Sequence, residues 1–479
     1  MLFLIAILFP IIAGTVVSVV KMPDGHTRNR LYAAVTILTD VLAVCALLYG
    51  KPVTLFKLAE GVTISFSPDP IGKYVLAVVL ILYTAVVFYA FEYMEHEERQ
   101  NVFFAFLLIS FGALMAVCVS GNLVTLYLSF ETLTLTTFPL VLHEMDRAAV
   151  AAGLKYLFYS VGGALLGLFA VFFVYSYASG DASFTYGGFL DSAKVAGHEG
   201  ILLAAVFAGI VGFGTKAGMY PMHGWLPTAH PIAPAPASAL LSAIIAKAGV
   251  VCVIRLVYFS VGAEFIRGTW VQTAWIILAL LTIFMGSMMA FREKMLKKRL
   301  AYSSVSQISY IMLGLAMLSD EGLRGGLIHL MSHAASKGTL FMVAGIFIVK
   351  LGIRDVGLLK GVGRRMPVTM WCFMIASLSL VGIPPMGGFL SKWVISQAAL
   401  SSGTGIFAYL APAVLIISAL LTAGYLFPVA VDAFFPGNDY EGPTDNCEPS
   451  ALMTVPMICL CAVALIAGLF GMQLTSLIG

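Results

Sequence analysis

The chain has 479 residues, 60% of them hydrophobic and only 11% charged, with 27 Lys and Arg against 24 Asp and Glu, and a mean hydropathy of +0.97. Soluble domains are about 45–50% apolar with about a quarter charged, so this composition excludes a water-facing globule and implies an integral membrane protein. The near-neutral charge balance excludes a nucleic-acid binder, and seven scattered cysteines without a C-x-x-C pair exclude a thiolate cage for zinc or iron–sulfur.

A spanning helix needs about 20 apolar residues. Fourteen segments approach or meet that need, near 2–20, 31–50, 70–92, 103–119, 121–142, 149–178, 201–222, 236–258, 270–291, 302–318, 323–349, 367–400, 406–435 and 450–478. The first lacks a basic leader and a small-residue cleavage site, so a span is expected there and not a cleaved signal. Residues 53–67, "VTLFKLAEGVTISFS", alternate instead of spiralling, with Gly61 between two short halves. They predict a small hairpin outside the membrane. The run 103–142 is continuous, and "SGN" at 120–122 predicts the tight turn that splits it.

Lys and Arg in short loops set orientation. Placing 21–30, 291–301 and 350–365 on the cytoplasmic side collects about fifteen Lys and Arg there, against Lys51, Lys57, Lys194 and Arg267 opposite. A multi-pass protein of the cytoplasmic (inner) membrane with both termini outside is expected.

One repeat stands out. "GMYPMHGWL" (218–226) aligns without gaps to "GIPPMGGFL" (382–390), Trp225 facing Phe389. The copies fall in the seventh and twelfth spans, and an offset of five gives them opposite directions. Inverted repeats with matching Pro/Gly interruptions are a signature of transporters whose broken helices line the ion path. Pro221 and Gly224 mark the first break, Pro384 and Pro385 the second.

Ionisable residues inside spans are few, and each costs about 2.5–3.5 kcal/mol or more at mid-bilayer unless paired or wet. Glu131 lies in the middle of the fifth span, Lys216 just before the first break, Lys247 centrally in the eighth span and Lys392 after the second break. His329, His333 and Lys337 follow at i, i+4, i+8, on one helix face. Lys73, Lys155 and Arg255 lie near span ends, where a long side chain snorkels to the interface. Lys216 alone is open to that reading too; Glu131 and Lys247 are too central for it. The chemistry these groups suit is proton relay. Burial favours the neutral amine and a nearby carboxylate the ammonium, while imidazole titrates near neutrality at two nitrogens. His223 and His230 either extend this path toward the cytoplasmic end or are ordinary loop histidines, the second reading being the simpler.

"KAGMYPMHGWLPTAHPIAPAPASALLSAIIAKAG", "HLMSHAASKGTLFMVAG" and "GIPPMGGFLSKW" resemble the motifs of the antiporter-like subunits of respiratory complex I, shared with Mrp-type antiporter subunits and energy-converting membrane-bound hydrogenases. The resemblance covers roughly 60–435. It implies an all-α fold of fourteen helices with two inverted five-helix repeats and helices seven and twelve broken: helices 1–3 with the hairpin in 1–102, the repeats in 103–258 and 270–435, and helix fourteen in 450–479. It assigns Glu131 and Lys216 as a pair, Lys247 as a central lysine, His329, His333 and Lys337 as connecting groups and Lys392 as the terminal site, joined by a central hydrophilic axis. The largest complex I relative continues into a lateral helix, so with Gly479 last here one of the shorter members is expected. The stretch 133–167 resembles hydrogenase-type arms in particular.

The leading expectation is a proton-translocating subunit of a larger membrane complex, exchanging sodium or not, with redox chemistry left to an iron–sulfur-bearing partner and no metal or cofactor of its own. The alternatives are an Mrp-type Na+/H+ antiporter subunit and, below it, a stand-alone transporter, for which no solute pocket is legible. A scaffold that had lost conduction would replace such costly charges with leucine. A membrane protease would need a nucleophile–base pair or H-E-x-x-H, and neither is present.

Overall fold

The computed structural model describes residues 1–20, 24–59, 62–437, 440, 442–443 and 445–476. Twelve of its helices are long and apolar enough to cross a membrane. Their starts are written in the sequence. Asp24, Asp69, Asn122, Asp146 and Ser319 each sit just before a long helix and accept a backbone N–H from its first turn, filling donors that would otherwise be orphaned. Asn122 begins Leu123–Val141 directly after Gln100–Val119 ends, so the expected turn at 120–122 is present.

Two further elements fail the apolar criterion for a physical reason. Leu296–Ala316 carries Lys297, Lys298 and Arg299 in its first turn and a run of serines behind them. All but two of its residues are buried, so it touches protein instead of lipid and needs no apolar coat. The predicted loop 291–301 is therefore mostly helix: only 293–295 separates Trp270–Arg292 from Leu296–Ala316, and Lys297 is 5% exposed. The second exception is the predicted span 367–400, which is two short helices, Pro367–Val381 and Gly387–Leu400, with five residues between them.

Burial sorts the helices into a centre and a rim. The helical stretch Ala235–Val261 is wholly enclosed, and Asp320–Leu351 nearly so. Leu2–Val19, Gly25–Tyr49, Arg147–Ser176, Phe407–Phe434 and Ala451–Ser476 keep most of their surface outside. The central stretch is not a plain α-helix. It widens into π turns at Leu241–Ile245 and Arg255–Val261, a geometry that loosens the i→i−4 ladder and recurs at functional sites. The hairpin is present as antiparallel strands Val53–Ala59 and Val62–Phe66; Gly61 lies outside the described residues. The Asn122 amide donates to the Thr63 carbonyl (2.8 Å), tying the hairpin to the helix that bears Glu131.

Arg255 corrects an expectation. Instead of snorkelling it is 1% exposed, forks both terminal nitrogens onto the Asp69 carboxylate and lies between the Phe184 and Phe259 rings. Asp69 thus caps one helix and neutralises another. Lys73 and Lys155 are exposed, as expected of residues near span ends.

Arg147–Ser176 and Glu199–Ala217 meet through glycines. A Cβ on Gly212 would lie 2.5 Å from the Gly163 carbonyl oxygen, and one on Gly163 2.6 Å from that of Gly212. In lipid, where helices gain nothing by hiding from water, such close backbone packing is a main source of association. Gly212→Val is expected to lower stability by about 1–3 kcal/mol. Gly200→Val, with open space around it, should stay within about 0.5 kcal/mol. Thermal unfolding in detergent separates the two.

Candidate functional site: a buried line of amines and imidazoles

Both breaks are built alike. Glu199–Ala217 ends at Gly218 with φ 78°, and Pro367–Val381 ends at Gly382 with φ 92°, left-handed C-caps at aligned positions of the repeat. Only glycine takes that conformation without steric cost. After each break a short helix resumes, Leu226–Ile232 and Gly387–Leu400. Pro221 and Gly224 lie in the first turn region and Pro384 and Pro385 in the second.

Lys216 sits in the last turn before the first break, 1% exposed. Its ammonium donates to the Thr134 hydroxyl and stands over the Phe130 ring (4.7 Å) and near the Tyr156 ring (5.6 Å). Thr134 is one helical turn beyond Glu131. Among the described residues Glu131 and Lys216 make no ion pair, and the buried Oε1 of Glu131 has no hydrogen-bond partner. The resemblance implies that the two are partners; in the structure the lysine bonds Thr134 instead. Gly249 allows this approach, since a Cβ there would lie 2.4 Å from the Phe213 carbonyl oxygen and 3.2 Å from the Lys216 Cβ.

Lys247 and His333, 86 residues apart, touch: Nζ lies 2.6 Å from Nδ1. Lys247 also donates to the Ser242 carbonyl, within the first π turn. His329 and His333 follow on one face with ring centroids 5.9 Å apart. His329 Nδ1 bonds the Ser391 hydroxyl at 2.8 Å, and Ser391 precedes Lys392 on the second broken helix. Lys392 is half-buried, donates to the Leu380 (2.6 Å) and Val381 (2.7 Å) carbonyls and lies 5.2 Å from the Tyr310 ring. Lys337 donates to the Leu300 carbonyl (3.0 Å). The Nε2 atoms of His329 and His333 are buried without partners.

The two remaining histidines divide. His230 is fully buried on the short helix after the first break, stacked on Phe341 of Asp320–Leu351 (4.8 Å), with neither ring nitrogen bonded. The loop reading fails for it. His223 is half-buried, stacked on Tyr220, with Nδ1 unpaired. Sequence reasoning missed Lys297, whose ammonium donates to the Ala233 carbonyl (2.5 Å) at the end of the His230 helix. It missed the Ser242–Ser304 pair (2.6 Å) and the buried Gln307, whose amide has no partner. Beside Lys297, in the loop before Gln100–Val119, burial and the neighbouring Glu144 push the Glu97 carboxyl above its usual range. Only the basic run "KMLKKR" hinted at Lys297, and it read as a loop.

Contacts connect Lys247, His333, His329 and Ser391, which adjoins Lys392, and among the described residues no cluster is fit to bind a metal ion. Lysines and histidines of several helices thus share the polar interior of a many-helix membrane protein. The chain belongs to the family described as NADH:quinone oxidoreductase/Mrp antiporter, transmembrane, whose profile matches residues 120–420. It is 34% identical over 426 residues to NADH-quinone oxidoreductase subunit N of Desulforudis audaxviator, covering 85% of this chain and 82% of that one. To hydrogenase-4 component B of Escherichia coli it is 28% identical, across 86% of this chain and 62% of that protein. A subunit of the membrane-bound sulfane sulfur reductase, an archaeal respiratory membrane complex, superposes with a TM-score of 0.82 at 26% identity, covering 97% of this chain and 75% of its own.

Lys337 and Arg255 are buried cations of opposite kinds, one held by a carbonyl and one by a carboxylate. Lys337→Met removes an unpaired charge and is expected to raise stability by about 1–3 kcal/mol. Arg255→Met strands Asp69 and should lower it by about 3–5 kcal/mol. Thermal unfolding of each variant gives the sign.

Proposed function

We propose that the chain is a proton-translocating subunit in the membrane arm of a redox-driven complex, of the complex I-like or energy-converting hydrogenase kind. The observation that carries this reading is the direct contact of Lys247 with His333, continued through His329 and Ser391 toward Lys392. A proton on the Lys247 ammonium has His333 Nδ1 as acceptor 2.6 Å away. Protonating Nδ1 lets the proton on Nε2 leave from the other side of the ring, so the imidazole passes charge along without turning. Lys216 supplies the switch. Held by Thr134 it is out of contact with Glu131; a shift of one turn would pair them, fix the ammonium and alter the field at Lys247. Lys337, His223 and His230 are side branches of the same axis.

In this reading the helix Leu296–Ala316 and the broken pair 367–400 join the twelve apolar helices to make fourteen crossings. The segments 103–258 and 270–435 are the two inverted repeats, flanked by 1–102 and 450–479. The protein lies in the cytoplasmic membrane with both termini outside, beside other membrane subunits and a peripheral iron–sulfur module that does the redox work. Likeness to subunit N and to hydrogenase-4 component B supports this assembly. The family's Mrp branch supports a second reading, an Mrp-type Na+/H+ antiporter subunit.

Gentle detergent extraction with identification of co-purifying chains distinguishes the two. An iron–sulfur or nickel–iron module is expected; small antiporter subunits alone would transfer the chain to the Mrp reading. In proteoliposomes of the whole complex, Lys247→Met and Lys216→Met are each expected to cut proton uptake per electron about a hundredfold, the scale of a lost proton-transfer group. Acidification is read with a pH-sensitive dye while redox turnover is followed separately. Unchanged uptake in Lys216→Met at normal turnover would remove Lys216 from the path.

A further inference from the structure

Asp40 lies well inside Gly25–Tyr49, an outer helix otherwise without acidic residues in its apolar body. Its Oδ2 accepts the Thr84 hydroxyl, while Oδ1 is buried without any partner. Among the described residues no ion pair includes it. It opens onto a groove of about 660 Å³ between Gly25–Tyr49, Pro70–Tyr93 and Ala451–Ser476, walled by Val44, Ile81, Phe88, Leu452, Val455 and Cys459. A carboxylate at this depth, with one hydroxyl for company, is left short of a donor.

Three occupants are conceivable and two lack the chemistry. Acyl chains carry no donor, and lipid head groups lie at the interface, not at the depth of Asp40. Among the described membrane-spanning residues, a second copy of this chain has no suitable lysine to offer. Lys216, Lys247 and Lys337 are fully enclosed, Lys392 is bound to two carbonyls, and Lys73 and Lys155 lie near helix ends. We infer that this groove receives a transmembrane helix of another subunit that presents a Lys, Arg or His side chain to Asp40. The inference rests on the multi-subunit reading above but not on the proton path.

The test uses the assembled complex in mild detergent and the chain released from it. N-ethylmaleimide labelling of Cys459, exposed on the groove wall, is read by mass spectrometry. Labelling several-fold slower in the complex is expected. Asp40→Leu should weaken retention of the partner on native gels by about tenfold, the order of one interhelical polar contact in lipid. The same change should leave the thermal stability of the released chain unchanged or raised, because it removes an unpaired carboxylate. Equal labelling in both states overturns the assignment. Protection of the released chain that disappears on delipidation gives the groove to lipid and also overturns it. Protection insensitive to Asp40→Leu and Asp40→Asn removes the cationic partner, and loss of stability in the released Asp40→Leu chain makes Asp40 a structural residue. If no partner co-purifies at all, the assembly reading falls and this inference with it.

Discussion

A lysine enclosed among membrane helices must be solvated by something other than water, and the architecture follows from how that is done. Carboxylates are scarce in the interior: among the described residues only Asp69 forms an ion pair with a fully buried cation, Arg255. Lys216 takes the Thr134 hydroxyl, and four other lysines are served by backbone carbonyls. Lys247 uses that of Ser242, Lys337 that of Leu300, Lys392 those of Leu380 and Val381, and Lys297 that of Ala233. In an unbroken α-helix each interior carbonyl already accepts one backbone N–H and has a single lone pair left to offer. Three of these four lysines therefore meet a helix where its ladder is loosened: the π turn at Leu241–Ile245, the end of Leu226–Ile232 and the end of Pro367–Val381.

The distinction matters chemically. A carboxylate partner locks an ammonium in place; a carbonyl accepts a hydrogen bond yet cancels no charge. Arg255, which cannot lose its proton, is the buried cation that receives a carboxylate. Arg255 and these four lysines are thus distinguished by their partners, a carboxylate for the first and backbone carbonyls for the others.

Much of this was legible in the sequence, because it depends on local chemistry. Left-handed glycines, prolines and N-cap residues act within a few positions, so the aligned breaks, the 120–122 turn and the hairpin could be read directly. The stripe His329, His333, Lys337 follows from helical period alone. What escaped depends on distant partners or on what surrounds a helix. Asp69 and Arg255 are 186 residues apart, and apolar neighbours made Arg255 look like a residue near a span end. Hydropathy reports contact with lipid, so the protein-enclosed Leu296–Ala316 read as part loop and Lys297 as solvated. Asp40 was passed over because its meaning lies in the groove beside it.

The two breaks share a sequence rule but end differently, and the difference bears on how each lysine is controlled. At the first, Trp225 is fully buried and donates to the Thr215 carbonyl, sealing the turn, and Glu131 stands one turn from the lysine contact. At the second, the aligned Phe389 is 39% exposed beside Trp393, and no described carboxylate pairs with Lys392. Lys216 therefore has a carboxylate of the same chain one helical turn from its hydroxyl partner Thr134. Lys392 has the Leu380 and Val381 carbonyls, and the neighbouring Ser391 joins it to His329.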